Sequence, residues 1–103
     1  MKKLLVTAVL LGLTSTATAD DRFADIRKAW ASCVACHGAK GEGNLGPRLN
    51  NQSADDIISK LLAYKKGETI GPQSMLMWPV ARSLTDGQIG TIGVFVQEGF
   101  PDQ

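Results

Sequence analysis

The chain has 103 residues, with 11 Lys and Arg against 10 Asp and Glu, a formal charge of +1. That length allows one domain, and the near balance of charge excludes a basic nucleic-acid surface. One histidine and two cysteines exclude a closed zinc site of Cys and His alone, which takes about four ligands.

Met1-Lys2-Lys3 makes a basic start, Leu4 to Leu13 an apolar run, and Thr14 to Ala19 a small-residue stretch ending Ala17-Thr18-Ala19. This is the three-part layout of a secretory signal peptide. A membrane span needs about 20 apolar residues, more than this run supplies. The expected cut after Ala19 leaves residues 20–103, 84 in number, as one domain in the periplasm. No second apolar segment suggests a membrane span. Without Lys2 and Lys3 the domain is near neutral. Free thiols fare poorly in an oxidising compartment, so the two cysteines call for a role.

Residues 20–103 read as all-α, with about three helices and long loops. Arg22 to about Ala35 is the first helix, with Phe23, Ile26, Ala29 and Trp30 on one face. Gly38 to Asn51 is rich in Gly, Asn and Pro and reads as loop. Ser53 caps the second helix, whose stripe is Ile57, Leu61 and Tyr64, widened by Ile58 and Leu62. Lys65-Lys66-Gly67 stops it. Glu68 to Leu84, holding Gly71-Pro72 and Pro79, is expected to be a second loop. Thr85 opens the third helix, with Gln88 placed as its capping-box partner. Ile89, Ile92, Phe95 and Val96 give its apolar face, and Gly99 and Pro101 end it. Glycines inside that helix cost about 1 kcal/mol each relative to Ala. A close helix contact at Gly90 or Gly93 would account for them.

Cys33-Val34-Ala35-Cys36-His37 is the attachment signature of c-type haem. Two thiols three positions apart can each add to one vinyl group of a porphyrin, and the next residue can then bind the iron through an imidazole nitrogen. A thioredoxin-type redox pair competes with this reading, but it belongs after a strand, and no strand alternation is present. His37 is the only histidine, so a second axial ligand comes from elsewhere in the chain. Methionine is a common partner and raises the reduction potential. Beyond the leader, Met75 and Met77 remain, one as ligand and the other as packing.

Four stretches together carry a family likeness: Cys33 to Gly38, Gly46-Pro47-Arg48-Leu49, Leu62-Ala63-Tyr64-Lys65-Lys66-Gly67, and Met77 through Leu84-Thr85-Asp86. The chain resembles a class I cytochrome c of the small bacterial periplasmic monohaem type. It is also similar to a single domain of two-haem cytochromes and to the cytochrome subunit of flavocytochrome c sulfide dehydrogenase. The resemblance implies the cytochrome c fold and one covalent haem c. It implies axial ligation by His37 and Met77, with Met75 the less favoured alternative. It also implies that the Pro47 carbonyl accepts a hydrogen bond from the His37 ring. Gly90 and Gly93, where the family usually has alanine, depart from the pattern, as do Trp30 and Trp78. Trp30 reads as core; Trp78 is as well suited to lying on haem as to lying on the surface.

The expected function is one-electron transfer, not catalysis, by a free carrier or by the haem subunit of a larger oxidoreductase complex. A five-coordinate haem enzyme or ligand sensor is the competing class. Ile57, Leu61, Ile89, Ile92, Phe95 and Val96 are the expected haem wall. Redox partners, a flavoprotein or a terminal oxidoreductase among them, are expected to dock weakly at the haem edge, with Lys40, Arg48, Lys60, Lys65 and Lys66 as candidates for a cationic rim.

Overall fold

The computed structural model describes Gly12 and residues 21–101; the expected leader, residues 1–19, lies outside the described residues apart from Gly12. A 3-10 turn, Asp21–Phe23, leads into α1 (Ala24–Trp30), α2 (Val34–His37), α3 (Ala54–Lys65), α4 (Ser74–Arg82) and α5 (Asp86–Gln97). No strand occurs among the described residues, and no helix of theirs is long and apolar enough to cross a membrane.

Among the described residues five α-helices thus stand where about three were expected. The first expected helix is broken at Ala31–Cys33. A continuing helix would pair the Cys33 amide with the Ala29 carbonyl. Instead Ser32 Oγ donates to that carbonyl at 2.7 Å, and the Cys33 amide turns to Trp30 O at 2.8 Å. A serine competing for a helix carbonyl ends the regular ladder. A new single turn then begins, with the His37 amide on Cys33 O at 2.9 Å.

The second difference is α4, which occupies part of the expected loop. Pro79 lies inside it and withholds one hydrogen bond, the one that would reach Met75. Met75 is 62% exposed, so water is at hand there. Ser74 secures the start: its buried Oγ accepts from the amides of Ile70 at 2.8 Å and Gly71 at 2.7 Å. Met75, Leu76 and Met77 are good helix formers.

The caps stand as expected. Ser53 Oγ accepts from the Asp56 amide at 3.1 Å, and α3 stops at Lys66 and Gly67, the latter at φ 77°. Thr85 and Gln88 form the reciprocal box, with bonds of 3.1 and 2.9 Å. α3 packs on both α4 and α5, and α1 on α5. The α1–α5 seam is aromatic: Phe95 meets Phe23, Trp30 and Phe100 at centroid separations of 5.3, 5.8 and 5.6 Å. Such pairs contribute about 0.5–1.5 kcal/mol each beyond their buried area.

The two glycines of α5 separate. A Cβ on Gly93 would come within 2.7 Å of Ile58 Cγ1 and 2.9 Å of Ala54 O, whereas one on Gly90 would meet nothing within 4 Å. Gly93 is therefore the close contact between α3 and α5. In denaturant unfolding of the holoprotein, Gly93→Ala is expected to cost about 1–3 kcal/mol by overpacking. Gly90→Ala is expected to gain about 0.5–1 kcal/mol from helix propensity. Equal effects of the two would refute the assignment.

Candidate functional site

α2, α3, α4 and the segment 45–52 enclose a cleft of about 660 Å³ with a predominantly apolar lining. That volume suits a large flat ligand. Cys33, Cys36 and His37 reach it from the α1–α2 turn and α2, Ile57, Lys60, Leu61 and Tyr64 from α3, and Met77 and Val80 from α4.

The break at Ser32 sets up the first wall. Cys33, at the end of that break, is half-buried, and Cys36, on α2, is exposed. Burial pushes the Cys33 thiol above its ordinary value, with Cys36 adding to the rise and a hydrogen bond from Ser32 opposing it. Cys33 is thus held as a neutral thiol against the apolar wall.

His37 is 5% exposed, and its Nδ1 stands 2.7 Å from the Pro47 carbonyl oxygen. A carbonyl only accepts, so in the neutral ring Nδ1 carries the proton and Nε2 keeps a lone pair for a metal. Gly46 makes this approach possible: a Cβ there would sit 2.8 Å from His37 Cε1. The loop is fastened by the Gly46 amide on Cys36 O at 2.7 Å and the Gly43 amide on His37 O at 2.8 Å. The close fit of Gly46 escaped sequence reading; a glycine directly before Pro47 was its one signal.

Met77 lines the cleft and packs on the core, while Met75 stands outside. Of the expected wall, Ile57, Leu61 and Ile92 line the cleft. Ile89, Phe95 and Val96 belong instead to the core, because α5 turns most of its apolar face to α1 and α3. Trp30 is 2% exposed and spans core and cleft. Trp78 does not line the cleft; its Nε1 donates to Glu68 O at 2.9 Å. The cationic rim is likewise dispersed. Lys65 pairs with Asp86 at 2.9 Å, Lys40 donates to Phe100 O at 3.3 Å, and only Lys60 of the five lines the cleft. What surrounds the opening is apolar: Leu45, Ile70 and Leu76 are 74%, 50% and 67% exposed, and all three line the cleft.

Among the described residues no group of three or more His, Cys, Asp or Glu could hold a bare ion. A metal here would come within a macrocycle, which the apolar cleft, the two thiols and the one oriented imidazole fit. A helical shell around such a cleft, with Cys-x-x-Cys-His on its wall, is the frame of a covalent haem protein.

The family model for cytochrome c matches residues 23–98. Cytochrome c-554(548) of Halomonas halodenitrificans is 39% identical over 66 residues, covering 62% of this chain and 80% of its own. Cytochrome c-553 of Nitratidesulfovibrio vulgaris is 25% identical over 101 residues, covering 95% of this chain and 99% of its own. A thiosulfate dehydrogenase electron acceptor of Thiomonas intermedia is 39% identical over 66 residues, but only 30% of its length is covered. The chain belongs to the cytochrome c family. It accordingly binds haem c covalently and serves haem-based electron transfer.

Proposed function

We propose that residues 20–103 form a periplasmic carrier that moves one electron at a time, with haem tethered by Cys33 and Cys36 and ligated by His37 Nε2 and Met77 Sδ. The observation that carries this reading is the buried His37 ring, fixed by Pro47 in the cleft that Met77 also lines. Bound haem supplies the one-electron ferric/ferrous couple. The chain does the rest. Pro47 holds the Nδ1 proton and raises the basicity of Nε2. Ile57, Leu61 and Ile92 exclude water from the ring faces. Met77 offers a soft sulfur that favours the reduced metal. With His37 and Met77 both committed to the iron, the chain would offer it no further place for a substrate.

The leader pattern of residues 1–19 supports export. The partner is a redox enzyme, as the thiosulfate dehydrogenase electron acceptor of Thiomonas suggests, and it docks on the apolar mouth formed by Leu45, Ile70 and Leu76. Whether diffusing freely or seated in such an enzyme, the chain plays the same part.

Carbon monoxide tests the reading. The reduced holoprotein is expected to keep its visible spectrum for minutes under the gas. Rapid conversion to a carbonyl spectrum would instead establish a five-coordinate iron and the ligand-binding class of function.

A further inference from the structure

Lys60 is the only charged side chain among the described residues lining the cleft. It is half-buried, and no acidic side chain among the described residues pairs with it. Its Nζ donates to Gln52 Oε1 at 2.7 Å. Gln52 is itself fixed, because its Nε2 donates to Arg48 O at 2.8 Å. The amide therefore presents its oxygen to the ammonium and steers it, leaving two ammonium protons with no protein acceptor among the described residues. A cation on an apolar wall is unfavourable unless the ligand brings the opposite charge.

Haem brings that charge, since each ring carries two carboxylates. Tethering through Cys33 and Cys36 engages the vinyl-bearing edge, which leaves the carboxylate-bearing edge for a wall other than α2. Gln52 and Lys60 line the cleft from before and within α3, not from α2. We propose that Lys60, oriented by Gln52, is the counter-ion of a haem propionate and thereby helps set the reduction potential. The inference rests on the haem reading above. The other titratable groups on the lining are Cys33, Cys36, His37 and Tyr64, and none of them supplies a fixed positive charge there. Asp56, one helical turn before Lys60, is exposed.

A cation beside the ring disfavours the more positive ferric state. In purified holoprotein, Lys60→Met is expected to lower the midpoint potential by several times the change produced by Lys66→Met at the exposed C-terminal cap of α3. Lys60→Arg is expected to keep the native value. A second readout is the proton NMR spectrum of the oxidised protein. There Lys60→Met and the milder Gln52→Leu are expected to displace the hyperfine-shifted propionate resonances while sparing the thioether methyls. Equal potentials for Lys60→Met and Lys66→Met, or unmoved propionate signals, overturn the proposal. A wild-type protein lacking covalent haem overturns the cofactor reading itself, a separate failure visible before any variant is made.

Discussion

Replacing both Cys33 and Cys36 by Ala is expected to give a chain that carries no haem through denaturing electrophoresis and loses at least half of its helical circular dichroism. The first loss follows from the chemistry, since no other cysteine exists to form a thioether. The second follows from the packing. Among the described residues α2, α3 and α4 hold 25 of the 44 in α-helix, and each turns side chains into the cleft. With nothing filling about 660 Å³, the side chains that α3 and α4 present to the cleft, Ile57, Leu61, Met77 and Val80 among them, lose their packing partner. A chain this short has little other core to hold them. The aromatic seam between α1 and α5 lies largely outside the cleft and is the part expected to keep residual helix. A doubly substituted chain with full helical signal would show that the fold stands without its cofactor.

Met77→Ala is expected to abolish the sulfur-to-iron charge-transfer band in the near infrared, lower the reduction potential and open the iron to carbon monoxide. Met75→Ala is expected to leave all three unchanged. The two residues are neighbours on α4, but a helix turns about 200° over two positions, so they face opposite ways. Met77 faces the cleft and Met75 is 62% exposed. Loss of a thioether ligand removes the preference for ferrous iron, which sets the sign of the potential change. A band that survives Met77→Ala and disappears in Met75→Ala would exchange their assignments.

The features legible in the sequence were those fixed by local chemistry. Ser53, Thr85 and Gln88 cap helices because their side chains satisfy amides a few positions away. Cys33, Cys36 and His37 share one wall because three consecutive functions fall within five residues. α4 was not legible. Gly71, Pro72 and Pro79 argue for a loop, and the pattern cannot show that packing on α3 outweighs one missing hydrogen bond. The break at Ala31–Cys33 was hidden for a similar reason, since it turns on which donor wins the Ala29 carbonyl. Phe100 lies beyond the glycine that ends α5, at φ 59°, yet it is 1% exposed. Its place in the core depends on contacts with Phe95, five positions back, and with Trp30, far away in sequence. Lys60 read as a surface cation because period alone does not show that the cleft extends along that side of α3.

The fit of Gly46 against the His37 ring has a consequence for speed. The imidazole is pinned at Nδ1 by a 2.7 Å bond and bounded at its edge by a backbone that leaves no room for a methyl group. As the proposed iron ligand, an imidazole held this way would keep its position when the charge on the metal changes by one unit. The nuclear rearrangement that accompanies each electron hop is then small, because the surroundings are already set for both oxidation states. Self-exchange can run fast at little driving force, and substitution of Gly46 would slow it before it dislodged the haem.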